Sequence, residues 1–191
     1  MSFKLRNWLL LLVLAVPVTA GWAEQDKYQD TINVFMNAGE SGAFFKNAYG
    51  YAVFPTIGKG GMGVGGAYGE GRVYAAGKYI GDTKVTQLTV GFQLGGQAYS
   101  MIIFFEDERA LQEFTSGNFE FGAQASATAI TAGASAGTST TGSSAGVSGG
   151  KNDATTVGAG YQKGMATFTV AKGGLMYEAS IGGQKFSYTP K

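Results

Sequence analysis

A glycine-dense segment, GKGGMGVGGAYGEGR, contains the spacing in this chain that is most typical of cofactor chemistry. Gly61, Gly63 and Gly66 follow the G-x-G-x-x-G pattern of a dinucleotide-binding loop, and Lys59 precedes them. Such a loop needs a helix directly after it, because N–H groups at the helix N-terminus bind the phosphates. The next residues instead alternate and include two more glycines, each of which would destabilise a helix by about 1 kcal/mol. The sequence therefore predicts no nucleotide site but two strands joined by a turn near 69–71.

Other kinds of chemistry are restricted by residue types that the chain lacks. It contains no histidine and no cysteine, which removes the commonest general base, the commonest metal ligand and any disulfide. The densest acidic group, Glu106-Asp107-Glu108, could bind a cation or supply paired carboxylates. Because it opens the helical pattern DERALQEF, we interpret it as a helix start, where negative side chains match the helix dipole. We expect a protein that is not an enzyme, with no cofactor and no metal.

The N-terminal segment has the order of a secretory signal peptide. Lys4 and Arg6 form a basic start, the apolar run WLLLLVLAV follows, and Ala23 precedes the expected cleavage site. The apolar run is shorter than the roughly 20 residues that a membrane span needs. Cleavage lowers the 14 basic residues to 12 against 13 acidic ones, so we expect no long-range attraction to nucleic acid. Cleavage after Ala20 and an uncleaved N-terminal anchor are the alternatives.

The residues that follow must position any binding site, and they divide into a short helix and a strand-rich remainder. The helix, 24–40, is amphipathic, and its apolar face carries Tyr28, Ile32, Phe35 and Met36. In the remainder, glycine is frequent (32 of 191 residues in the whole chain), which in strands marks bulges, corners and close backbone approach. The sequence predicts an α+β fold: a strongly curved or barrel-like, mainly antiparallel, glycine-rich β-sheet with short packed helices. The glycines expected to be structural are Gly61, Gly65, Gly66 and Gly71.

Individual elements follow from alternation, turn residues and caps. Helices are predicted at 41–48 and 107–114. Strands are predicted at 51–54, in most of 60–105, and at 119–129, 157–163, 166–172, 175–181 and 185–188. Gly-Gly pairs at 173–174 and 182–183 mark turns between the last strands. The Ser/Thr/Gly-rich segment 131–153 has too few large apolar side chains to bury a core, and we expect a flexible loop or a weak strand pair.

Four segments, taken in chain order, resemble the SYLF domain. FKNAYGYAVFPTIGKGGMGVGGAYGEGRVY at 45–74 is similar to the opening of that domain, and VTQLTVGFQLGGQAYSMIIFFEDERALQEF at 85–114 to its middle. FEFGAQASATA at 119–129 and FTVAKGGLMYEASIGGQKFSY at 168–188 resemble its last two elements. One departure is Thr-Val-Ala-Lys-Gly in the closing element, where the family usually has Tyr-Ser-Arg-Ser-Lys-Gly. The resemblance covers about 45–190.

This resemblance implies a domain organisation and a role in lipid and membrane association. We expect a signal peptide at 1–23, an N-terminal amphipathic helix at 24–40, and a SYLF-like domain at 41–191 with a flexible loop at 131–153. Eukaryotic members of the family bind membranes and actin; actin binding does not carry over to an exported single-domain chain. The function implied is an exported, non-enzymatic lipid- or membrane-binding protein of the bacterial envelope, located in the periplasm or on an envelope membrane surface.

The expected partners are a phospholipid or fatty acyl ligand and the membrane surface, with no nucleic acid and no nucleotide. Two other classes stay open, a small outer-membrane β-barrel protein and a structural or adhesive envelope protein. Aromatic pairs that could line an acyl pocket or a membrane contact, or simply form the core, are Phe44, Phe45, Phe104 and Phe105. Cations that could contact lipid headgroups, or be ordinary surface charges, are Lys59, Arg72, Lys78, Lys84 and Lys172.

Overall fold

The computed structural model describes residues 19–62, 64–90, 97–122, 125–130, 160–172 and 179–191. The predicted loop at 131–153 and the predicted Gly-Gly turn at 173–174 lie outside these residues, as do 157–159 and 175–178 of the strands predicted at 157–163 and 175–181. Residues 160–163 are described and contain only the isolated bridge of Gln162, so the strand predicted there is not formed.

The described residues form one sheet of nine strands. The strands are β1 (Gly50–Met62), β2 (Val64–Ala75), β3 (Lys78–Val90), β4 (Gln97–Phe105), β5 (Phe119–Glu120), β6 (Ser126–Ile130), β7 (Met165–Lys172), β8 (Ala179–Ser180) and β9 (Lys185–Pro190). Their spatial order is β5-β9-β3-β2-β1-β4-β7-β6-β8, and every pair is antiparallel except β6 with β7. The helical elements are α1 (Thr19–Asn37), α2 (Gly39–Gly42), a 3₁₀ turn (Phe44–Lys46) and α3 (Glu108–Thr115).

The sheet curls strongly, and ring contacts between distant strands show which face is concave. The rings of Phe54 on β1 and Phe186 on β9 lie 5.7 Å apart, although β2 and β3 lie between these two strands in the sheet. In a flat sheet those strands would be roughly 14 Å apart. We therefore call the face that carries Phe54 the concave face and the opposite one the outer face. The predicted α+β fold with a strongly curved, mainly antiparallel sheet is confirmed.

The first hairpin differs from the prediction. Met62 pairs with Val64, so the chain reverses between them, and the predicted turn near 69–71 is wrong because those residues lie in the middle of β2. Gly71 is required there by packing, since a Cβ at this position would lie 2.6 Å from the Phe54 ring. The glycine density reflects close approach of a large side chain to the strand backbone.

A bulge in β1 sets the register around its middle. The pairing of β1 shifts between Val53 and Thr56 on the β2 side and between Phe54 and Ile57 on the β4 side. Pro55 lies in this bulge, where its missing N–H costs no ladder hydrogen bond. Its carbonyl accepts a 2.8 Å hydrogen bond from the Ser100 hydroxyl. β1 therefore continues past the predicted strand end at 54.

Helices cover both faces of the sheet. On the outer face, α1 buries Tyr28, Ile32 and Phe35, as predicted, whereas Met36 is 49% exposed and was wrongly assigned to the apolar face. On the concave face, α3 buries its apolar side chains, and the Asp107 carboxylate caps it by accepting a 2.8 Å hydrogen bond from the Ala110 N–H. The acidic group therefore opens a helix, as interpreted. Among the described helices, none has the length and hydropathy needed to cross a bilayer.

Candidate functional site

The part of the outer face that α1 leaves uncovered contains a shallow groove. It has a volume of about 250 Å³ and lies between the middle of α1 and the middle of β1 and β2. It is lined by Lys27, Pro55, Thr56, Gly58, Tyr68, Gly69 and Glu70. The groove is open at Gly58, since a Cβ at this position would meet nothing within 4 Å.

Glu70 is held in the groove by donors on two strands. Its Oε1 accepts a 2.7 Å hydrogen bond from the Tyr68 hydroxyl and lies 3.6 Å from the Lys84 Nζ. The Tyr68 hydrogen bond is the main cause that lowers the pKa of the Glu70 carboxyl, and the charges of Lys84 and Lys27 lower it further. The same hydrogen bond raises the pKa of the Tyr68 hydroxyl. The groove therefore contains a carboxylate and a protonated phenol at neutral pH.

A third lysine reaches the groove from a strand that is not adjacent to β1. The Lys172 Nζ on β7 donates a 2.8 Å hydrogen bond to the Thr56 hydroxyl, crossing over β4. Thr56 is the cross-strand partner of Glu70. Ammonium groups from α1, β3 and β7 thus surround one threonine and one carboxylate, which gives the groove a net positive charge.

Two large side chains stand out from this charged surface. Tyr68 is 51% exposed and Leu88 is 86% exposed. They lie diagonally across β2 and β3, since Tyr68 pairs with Thr86 and Leu88 with Gly66. A single exposed leucine is ordinary, but a leucine and a tyrosine beside several lysines form the combination found at membrane interfaces.

The structure separates the five candidate cations. Lys84 and Lys172 lie at the groove. The Arg72 guanidinium lies 4.3 Å from the Tyr28 ring centroid and 3.8 Å from the Asp82 carboxylate, and it holds α1 to the sheet. The other two are elsewhere. Lys78 is exposed next to the β2–β3 turn, and Lys59 is half-buried opposite Ala67, on the concave side of β1.

The four candidate phenylalanines do not form a common pocket. Phe104 and Phe105 are fully buried on opposite faces of β4. The rings of Phe44 and Phe45 pack on Phe104 at 5.4 and 4.9 Å, and the ring of Phe105 packs on Phe114 at 5.0 Å. These side chains build the cores on the two sides of the sheet.

The structural glycines have different surroundings. Gly71 allows the Phe54 ring to approach, whereas a Cβ at Gly66 would meet only the Gln87 carbonyl at 3.2 Å. Gly65 is buried and pairs with Gly61 at the end of the first hairpin.

Most of the groove was missed at the sequence level. Tyr68 and Glu70 alternate with small residues in β2, which is a signal that they share a face. Their meeting with Thr56 depends on the bulge at Pro55, and the contribution of Lys27 depends on where α1 lies. No local pattern in the sequence shows the bulge or the position of α1.

A comparison with known protein families matches more than half of the chain. A family model described as "Ysc84: Las17-binding protein actin regulator" matches residues 86–189, which is more than half of the chain. No curated protein matches the chain. Leu88 and Lys172 lie within the matched segment. The other groove residues precede it, so the match by itself assigns them no role.

Proposed function

This chain belongs to the SYLF domain family, represented by the Ysc84 model, and from that premise we propose that it is an exported, non-enzymatic protein that binds acidic phospholipid surfaces of the bacterial envelope. Family membership indicates a lipid-binding or actin-regulatory role. Export to the periplasm rests on the signal-peptide pattern at the N-terminus.

The observation that carries the proposal is the lysine-rimmed groove with Tyr68 and Leu88 exposed beside it. Phosphate oxygens of a lipid headgroup accept hydrogen bonds from ammonium and hydroxyl donors of the kind that Lys172 and Thr56 offer. Each lysine near an acidic membrane surface contributes about 1 kcal/mol. The leucine and tyrosine side chains would enter the interfacial layer, where such groups are stable.

The concave face supports surface binding over enclosure of an acyl chain. Its described residues pack an aromatic core in which Phe54, Phe105 and Phe114 are fully buried. The proposal therefore assigns the lipid to the outer groove, with the headgroup as the contacted part.

The test compares two double variants on vesicles of phosphatidylglycerol and phosphatidylcholine in equal amounts, and on phosphatidylcholine alone. Lys27→Gln/Lys172→Gln removes two groove charges, and we expect affinity for the acidic vesicles to fall about 30-fold at low salt. The matched control is Lys46→Gln/Lys78→Gln, which makes the same charge change at exposed positions outside the groove lining. Equal losses in both variants, or wild-type binding that does not depend on phosphatidylglycerol, would contradict the proposal.

A further inference from the structure

We infer that Glu70 is a built-in competitor for the anionic headgroup, so that it sets how acidic a membrane surface must be before the protein binds. This inference rests on the function proposed above. It concerns a residue that precedes the segment matched by the family model.

The first step is the identity of the donors that Glu70 occupies. Its Oε1 accepts a hydrogen bond from the Tyr68 hydroxyl at 2.7 Å and forms an ion pair with the Lys84 ammonium at 3.6 Å. A phosphate oxygen needs donors of the same kind, because carboxylate and phosphate are both anionic acceptors. A headgroup that enters this half of the groove must displace Glu70 or share its donors.

The second step is the contrast between the two halves of the groove. In the half formed by Tyr68, Glu70 and Lys84, a carboxylate offsets the lysine charge. In the other half, Lys172 donates to the neutral Thr56 hydroxyl, which does not offset its charge. The groove can therefore attract an anion at one half while the other half opposes it. Net attraction then depends on how many acidic headgroups the membrane presents.

The third step is that protonation does not remove the competitor at neutral pH. The hydrogen bond from Tyr68 lowers the pKa of the Glu70 carboxyl, with help from Lys84 and Lys27. The donor is a tyrosine whose own pKa is raised. The opposing charge is therefore present at neutral pH.

The experiment replaces the charge and keeps the acceptor. In Glu70→Gln the amide oxygen still accepts the Tyr68 hydrogen bond, so the groove keeps its shape and loses one negative charge. We expect binding to phosphatidylglycerol–phosphatidylcholine vesicles to tighten about five-fold at low salt. We also expect half-maximal binding at a smaller phosphatidylglycerol fraction.

Glu120 offers a closely matched control. Its carboxylate lies 3.6 Å from the Lys185 Nζ, both side chains are about as exposed as those of Glu70 and Lys84, and it lies on β5 outside the groove lining. Glu120→Gln makes the same change in net charge, and we expect less than a two-fold effect.

The outcomes separate the two proposals. If wild-type binding depends on Lys27 and Lys172 but Glu70→Gln binds no more tightly than Glu120→Gln, the competitor role is wrong and the membrane-binding function stands. If neither wild type nor Glu70→Gln binds acidic vesicles, both proposals fall. Tighter binding by Glu70→Gln alone, with unchanged thermal unfolding, supports the inference.

Discussion

The two faces of the curled sheet use the same strands for different purposes. On the concave face, inward side chains of β1, β4 and β9 form a closed aromatic core with α3, in which Phe54, Phe105 and Phe114 are fully buried. On the outer face, α1 covers one part, and the uncovered part carries the charged groove. Strand alternation makes this division possible, because consecutive residues serve opposite faces.

Polar groups also differ between the two faces: they are buried on the concave face and exposed in the outer groove. On the concave face, Gln184 is fully buried and donates to the Tyr99 hydroxyl at 2.8 Å, while Gln87 donates to the Gly182 carbonyl at 2.8 Å. These bonds attach the turn at 182–183 to β4 and β3, and neither amide oxygen has a hydrogen-bond partner among the described residues. Each such oxygen costs about 1–3 kcal/mol when buried. Polar groups on the concave face therefore maintain the curl, whereas those of the outer groove are exposed and available to a ligand.

The largest expected effect tests whether the two cores are independent. Phe104→Ala removes a fully buried ring that packs on Phe44 and Phe45, and Phe105→Ala removes one that packs on Phe114. Each should lower the free energy of unfolding by about 3–5 kcal/mol, measured by denaturant titration.

Hydrogen exchange then distinguishes the faces. Phe104→Ala should lower protection mainly in the 3₁₀ turn and in α1, while Phe105→Ala should lower it mainly in α3. Identical exchange patterns in the two variants would show that the sheet does not separate the cores.

A smaller loss of stability is expected at Gly71, where the absence of a side chain lets the Phe54 ring pack against the strand. The added methyl group in Gly71→Ala would lie 2.6 Å from the Phe54 ring and 2.8 Å from the Val53 carbonyl oxygen. We expect a loss of about 1–3 kcal/mol in the free energy of unfolding, as in other overpacked cores.

Gly58→Ala, on the outer face, is the matched control for the same substitution in a neighbouring strand. Its methyl group would meet nothing within 4 Å, so stability should be unchanged or slightly higher. If the two alanine variants lose equal stability, glycine is needed for backbone conformation in these strands and not for close approach.

These examples show what the sequence could predict. The curved sheet followed from alternation and glycine density, and the helix start followed from Asp107 and its neighbours. The reversal at Met62–Val64 was missed because a glycine that admits the Phe54 ring has the same local signature as a turn glycine. The groove was missed because its residues come from five separate elements, and their meeting depends on the β1 bulge and on Lys172 crossing β4.

The last expected effect concerns a tyrosine from each face and is seen only at high pH. Burial raises the pKa of Tyr99, on the concave face, to about 12, although the hydrogen bond from Gln184 partly opposes this. Its unfolded pKa is about 10, so its contribution to stability is complete below pH of about 10 and is lost as the pH rises towards 12. The free energy of unfolding should fall by about 1.4 kcal/mol per pH unit in that window from this residue alone.

Tyrosine variants separate the contributions of buried and exposed phenols to that alkaline slope. Tyr99→Phe should flatten it in part, since Tyr51, under the 3₁₀ turn, also has a pKa raised to about 12 and retains its share. Tyr68→Phe should change the slope less, because Tyr68 is exposed and solvent screens the hydrogen bond to Glu70 that raises its pKa. Denaturant titrations between pH of about 9 and 12 measure both. An equal change in the two variants would contradict this expectation, since a solvated phenol would then be coupled to folding as strongly as a buried one.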